Sequence, residues 1–296
     1  MIPLRELERR CQKPDHRRVG NFMARRIVRP AALRITWVVA ESGLSANMAT
    51  LAAWATAVVA AAAFGHGTIV GWLVGAVFLQ IWYVLDHVDG QLARLRGTAS
   101  LDGAQLDYLM HHTVNLILPL VIGYGLFRRS LEPVWLLIGL AWGLSLLLAT
   151  LHHDTRYRTF FQRLKRLHGT LQVVGGGGGR PEATPAVPRR PLRFAAWTAR
   201  KACEIHVVMN VLTIIALAEW IVSDHRMFLS QGYAAVSTVI AVVVTVVSIA
   251  RSQRRQAAEA EFSAWFRPVA GSWLKCVDGW WQVEAEDAVA REFDCP

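Results

Sequence analysis

The chain has 296 residues, 53% of them hydrophobic and only 18% charged, with mean hydropathy +0.30, twelve tryptophans and a formal net charge of +10. This composition fits a polytopic membrane protein. Its four cysteines, Cys11, Cys203, Cys276 and Cys295, show neither C-x-x-C nor zinc-like spacing and read as free thiols in a reducing compartment, which excludes a disulfide-stapled or zinc-ribbon domain.

The first thirty residues of the 1–41 segment are charged throughout and lack the apolar core of a cleavable signal peptide. Arg25, Arg26, Arg29 and Arg34 interleave with Ile27, Val28, Leu33, Ile35, Trp37 and Val38, so this stretch reads as a basic interfacial helix in the headgroup plane, broken or kinked at Pro30. A solvated basic tail that only enforces orientation is the competing reading. Ser42–Leu85 then runs 44 residues without Asp, Glu, Lys or Arg, too long for one helix, and splits at Gly65-His66-Gly67 into two spans.

Tyr108–Phe127 is a third uncharged run, Pro133–Leu151 a fourth, Ile205–Val222 a fifth interrupted by Glu219, and Met227–Ala250 a sixth. Glu219 is expected at the interface away from the acidic motif. Between spans four and five, Arg156–His168 extends a basic, aromatic-containing helix. Gly175–Gly179 with Pro181, Pro185, Pro188 and Pro191 is a low-complexity linker, because no Gly-Lys-Ser/Thr accompanies the glycines. The fold class is therefore all-α, with six transmembrane helices and an N-terminal interfacial helix. Its parts are a basic segment at 1–41, a membrane domain at 42–251 with a cytoplasmic linker at 168–195, and a Trp-rich tail at 252–296.

Lys and Arg placement orients these spans. With the N-terminus cytoplasmic, ten basic residues precede the first span, Arg94 and Arg96 follow the second, eleven lie in 152–201 and six after 250, so that 29 of 32 face inward. This predicts a cell (inner) membrane protein with both termini and the acidic motif on the cytoplasmic side. The positive charge then expresses topology and attraction to anionic membrane lipid, with no nucleic acid as partner.

The most informative pattern is Asp86-x2-Asp89-Gly90-x2-Ala93-Arg94, followed after eight residues by Gly103-x3-Asp107-x3-His111. A carboxylate deep in a membrane helix costs roughly 2.5–3.5 kcal/mol on insertion scales, so three together need an offsetting partner such as a divalent cation. The i,i+3 pair Asp86 and Asp89 and the i,i+4 pair Asp107 and His111 each share a helix face, and all four can meet in one cleft. Gly90, Ala93 and Gly103 keep that cleft open, and Arg94 at its edge can clamp a phosphate.

These residues resemble the CDP-alcohol phosphotransferases, membrane enzymes marked by D-x2-D-G-x2-A-R-x8-G-x3-D-x3-D. Seven of the eight fixed positions agree between Asp86 and His111, and Leu44-Ser-Ala-Asn-Met-Ala-Thr50 echoes the family's entry to its first membrane helix. The resemblance implies six spans and transfer of a phosphoalcohol from a CDP-linked lipid or alcohol to an acceptor hydroxyl, with release of CMP. It implies two divalent cations, Mg²⁺ or Mn²⁺, held by Asp86, Asp89, Asp107 and His111, and a nucleotide pocket shaped by Gly90, Ala93, Arg94 and Gly103. A homodimer is admissible.

His111 stands where the family has its last Asp, a metal ligand and the general base. Imidazole, with an ordinary pKa of about 6.5, can serve as base near neutrality, but a neutral nitrogen favours Mn²⁺ or Zn²⁺ over Mg²⁺. Altered chemistry with water as acceptor, a nucleotide- or lipid-binding protein without transfer activity, and a transporter stay open as alternatives. Lys201, His206 and Asn210, around the start of span five, are candidates for an acceptor pocket, with interhelical polar packing as the competing account.

Overall fold

The structure, a computed structural model, describes residues 3–13, 16–174, 187–222, 227–269 and 271–285. Cys295 and the Gly175–Gly179 run lie outside the described residues. The protein is an all-α polytopic membrane protein: six of its helices are long and apolar enough to cross a membrane. They are α3 (Ala46–Gly65), α4 (Ile69–Arg96), α5 (Leu101–Ser130), α6 (Val134–Lys165), α8 (Ile205–Val222) and α9 (Phe228–Arg254). Shorter helices are α1 (Leu4–Cys11), α2 (Arg29–Val39), α7 (Pro191–Ala202) and α10 (Ala257–Trp265).

Local chemistry sets the helix ends. The hydroxyls of Ser45, Thr68 and Ser100 accept hydrogen bonds from the backbone N–H groups of Met48, Gly71 and Gly103 at 3.0–3.1 Å, capping α3, α4 and α5. Gly97, at φ +64°, closes α4 in the left-handed conformation that glycine adopts without steric cost. Charge ends the apolar run at Leu85 but not the helix, because α4 continues three turns to Arg96. Pro30 does not break its segment: a π-turn at Ala24–Val28 leads into α2 and leaves Pro30 in the first turn, where proline is tolerated.

One compact unit comprises residues 1–147 and 181–245. Its core gathers Phe64, Trp72, Leu79, Trp82, Met110, Ile122, Leu126, Met209 and Leu212, all at 0% exposure. The α3–α4 turn packs on α5 so tightly that a Cβ on Gly125 would lie 2.2 Å from the Phe64 carbonyl oxygen, and one on Gly67 (φ +73°) 2.4 Å from that of Gly125. Glu219, expected at the interface, is enclosed by protein. It is 1% exposed and accepts hydrogen bonds from the Ser230 N–H (2.8 Å) and Oγ (2.6 Å), which fastens the first turn of α9.

The N-terminal segment is packed on α4 and is more than a solvated tail. Leu7 and Cys11 are fully buried with Leu33, against Trp37 and Leu95, and burial pushes the Cys11 thiol up to about 11. Thr36 Oγ1 donates to Gln91 Oε1 at 2.9 Å, and Arg96 donates to the carbonyls of Val39, Ala40, Ser42 and Leu44, tying the α2–α3 turn to the end of α4.

The second unit comprises residues 148–180 and 246–296. Here the Trp-rich tail adds short strands to an otherwise helical protein. After α10 come β3 (Phe266–Pro268), β4 (Ser272–Val277) and β5 (Trp280–Ala285), which join β1 (Leu167–His168) and β2 (Leu171–Val173). The strands form two small sheets, β1-β5-β4 and β2-β3. Asp278 and Gly279, at φ +51° and +80°, make the tight hairpin turn between β4 and β5, a signal present in the sequence as Asp-Gly. Arg163 pairs with Glu259 at 2.6 Å and stacks over the rings of Phe262 and Trp281, and its guanidinium holds the Glu259 carboxyl below its ordinary value.

Candidate metal and nucleotide site

The acidic motif straddles the short 97–100 connection. Asp86 and Asp89 sit one turn apart near the end of α4, and Asp107 and His111 one turn apart near the start of α5. α4 and α5 both pack on α3, and across the gap between them the side chain of Asp86 meets those of Asp107 and His111. Asp86, Asp107 and His111 each offer a ligand atom, and these atoms lie within 4.8 Å of one another. His111 Nε2 is 3.0 Å from Asp86 Oδ1 and 3.4 Å from Asp107 Oδ1, and its ring meets Trp82 edge-on at 5.6 Å. Asp86 is 12% exposed, Asp107 37%.

Asp86 Oδ1 is enclosed and faces His111 Nε2 at 3.0 Å, with no other polar partner among the described residues. An enclosed carboxylate oxygen needs such a partner, or a cation, to offset its desolvation. Two carboxylates and an imidazole around it are a donor set that suits a divalent cation. His87, beside Asp86 in sequence, donates Nδ1–H to the Tyr83 carbonyl at 3.0 Å.

Asp89 stands apart from this trio. Its Oδ2 accepts from Thr50 Oγ1 at 2.7 Å and its Oδ1 from the Gly90 N–H, so it faces α3. There a cavity of about 180 Å³ is lined by Asn47, Thr50, Asp89, Asp107 and all four nucleotide candidates, Gly90, Ala93, Arg94 and Gly103. A second cavity of about 260 Å³ opens on the N-terminal side and is lined by Gln12, Lys13, Arg29, Asp86, Asp89 and Arg94. Arg94 Nε donates to the Cys11 carbonyl at 2.5 Å, and a Cβ on Gly90 would press to 3.2 Å from Arg94 Nη1, so Gly90 makes room for this guanidinium. A Cβ on Gly103 would approach Ser100 Oγ at 3.2 Å and Asn47 Oδ1 at 3.4 Å.

The model of the CDP-alcohol phosphatidyltransferase family matches residues 43–175. Over this stretch the chain is similar to the CDP-alcohol phosphatidyltransferases. The matched region begins just before α3, includes all of the acidic cluster and the 180 Å³ cavity, and ends beyond α6. No curated protein matches the chain. The phosphatidyltransferase family is a transferase family that uses divalent cations, and Asp86, Asp107 and His111 form a group able to hold one.

Outside the matched stretch, each of the three acceptor-pocket candidates contacts a protein partner. Lys201 Nζ donates to Glu204 Oε1 at 2.6 Å, and His206 Nε2 lies 3.3 Å from Glu204 Oε2 while its ring stacks on Tyr83. Asn210 instead accepts from Gln80 Nε2 at 3.2 Å and contacts the Met23 sulfur, a polar contact between helices. Glu204, which sequence reasoning passed over, is the common partner of Lys201 and His206. Asn47 and Thr50 were visible only as an echo of a motif. Their i,i+3 spacing places both on the α3 face that looks onto the 180 Å³ cavity.

Proposed function

We propose that the protein transfers a phosphoalcohol, phosphatidyl in the leading case, from a CDP-linked donor to an acceptor hydroxyl with release of CMP, in phospholipid biosynthesis. The observation that supports this most is the convergence of Asp86, Asp107 and His111 beside a cavity lined by Gly90, Ala93, Arg94 and Gly103. Divalent cations, two by the resemblance, would neutralise the diphosphate and stabilise the CMP leaving group. Asp86 and Asp107 would hold them, and Asp89, oriented by Thr50, would complete the acidic wall. Arg94, anchored through Nε, directs its remaining N–H groups to a phosphate. His111 takes the proton from the attacking hydroxyl at Nε2, and Trp82 shields the ring from the apolar side.

Purified protein given CDP-diacylglycerol, a panel of acceptor alcohols and Mg²⁺, Mn²⁺ or Zn²⁺ should release CMP only with metal and acceptor. Absence of CMP under every combination would favour a nucleotide- or lipid-binding role without transfer. In the same assay His111→Ala should lose about 10²-fold or more, as expected for removal of a general base. His111→Asp supplies an anionic oxygen and should stay active with its preference moved toward Mg²⁺. Equal nonzero rates for wild type and His111→Ala would take His111 out of the mechanism.

The distribution of Lys and Arg supports a site on the cytoplasmic face of the cell membrane. Reporter fusions at Gly177, which lies outside the described residues, and after Cys295 should both report inside, and one at Leu131 outside. An outside signal at Gly177 contradicts this topology.

A further inference from the structure

A third cavity, of about 440 Å³, is larger than either of the two beside the acidic motif. It lies between one face of α1, formed by Leu4, Glu8 and Gln12, and the π-turn and first turns of α2, with His16 and Arg17 at its rim. Five arginines line it, Arg17, Arg25, Arg26, Arg29 and Arg34, against a single carboxylate. That carboxylate, Glu8, is already engaged by Arg17 at 2.9 Å and His16 at 3.0 Å. Arg29 is also engaged, donating to the carbonyls of Val19 and His16 and so holding the 16–20 loop in place.

The other three leave charge unanswered. Arg26 and Arg34 make no ion pair among the described residues, and Arg25 Nε is enclosed without a hydrogen-bond partner while one of its terminal nitrogens reaches only the Arg18 carbonyl. Arg26 and Arg34 are exposed, yet they line the same cavity as Arg25, whose Nε is closed off from solvent. Guanidinium forks gathered in this way, without acidic partners, suit a tetrahedral oxyanion able to accept from several of them at once.

We propose that this cavity is a binding site for a phosphate-bearing anion, separate from the diphosphate cleft. Arg29 and Gln12 line both this cavity and the 260 Å³ cavity that opens on Asp86, so the two sites share a wall. The phosphate can belong to an acidic lipid headgroup or to a soluble phosphate ester; the recognising chemistry is the same. The inference does not depend on the transfer reaction, because binding is read without turnover.

The test uses the full-length chain in phosphatidylcholine nanodiscs. Inorganic phosphate, compared with chloride at equal ionic strength, should raise the melting temperature, and Arg26→Gln with Arg34→Gln should weaken that response about tenfold or more in concentration. Both side chains are exposed, so the doubly substituted protein should melt normally without phosphate. Arg5→Gln with Arg9→Gln removes equal charge from the same segment outside the cavity and should change nothing. A second arm reconstitutes the protein with phosphatidylglycerol and measures lipid retained through purification by mass spectrometry. Loss of the phosphate response in the Arg26/Arg34 variant assigns a soluble phosphate ester. Loss of retained phosphatidylglycerol alone assigns a lipid headgroup. If neither arm responds to Arg26→Gln with Arg34→Gln, or both respond equally to Arg5→Gln with Arg9→Gln, the attraction is diffuse and the site does not exist.

Discussion

Asp86→Asn and Asp107→Asn should each reduce metal-dependent CMP release by at least about two orders of magnitude while leaving a protein that inserts and folds. The amide keeps the size and loses the charge, and with it the anionic oxygens that hard cations require. Asp86 should be the more sensitive position. Its side chain is enclosed, and its Oδ1 has no polar partner besides His111 among the described residues, whereas Asp107 is three times more exposed. A binding readout separates this from a general defect. Divalent cation should raise the melting temperature of the wild type and not of either variant, while the cation-free variants should melt no lower than wild type, because one member of a crowded acidic group has been neutralised. Near wild-type turnover in either variant would sink the metal-site assignment.

The largest effect on stability is expected at Gly125→Leu. The clash there is between two backbones: a Cβ would sit 2.2 Å from the Phe64 carbonyl oxygen, and the reciprocal approach of Gly67 leaves α3 no room to retreat. A loss of about 3 kcal/mol or more is expected, enough to abolish a monodisperse peak in mild detergent. Gly232→Leu is the control, since nothing lies within 4 Å of a Cβ at that position of α9. Equal losses at both sites would mean that any bulky residue in a span is harmful and that the α3–α5 approach has no special weight.

The spans were legible because an apolar stretch of 18 or more residues with no charge is rarely anything but a membrane helix. The glycines flanking His66 marked the only plausible turn in the first long run. What was not legible has physical reasons. Hydropathy reports where a helix meets lipid and stops at Leu85; the i,i+3 spacing of Asp86 and Asp89 is what showed the helix continuing through the acidic motif. The burial of Glu219 depended on Ser230, a partner in the next helix that no periodicity reveals. In α1, Leu4, Leu7 and Cys11 do follow helical spacing, but five charged residues between Arg5 and Arg10 mask it. The direction of Asp89 toward Thr50 is a rotamer choice made by packing, and spacing alone counted it with Asp86. The β4–β5 hairpin was readable from Asp278-Gly279, a turn signal that the Trp-rich composition of the tail overshadowed.

The carbonyl of Cys11 receives the Arg94 guanidinium from 83 residues further along the chain. The boundary drawn by family likeness, at residue 43, therefore falls inside the working unit. A fragment cut there keeps every acid of the motif but sheds Gln12, Lys13 and Arg29 from one wall of the cleft, the hydroxyl that Gln91 accepts from, and the anchor that aims Arg94. Ancestry and architecture thus divide this chain at different places. The segment with the least recognisable sequence braces the helix that carries the most recognisable one.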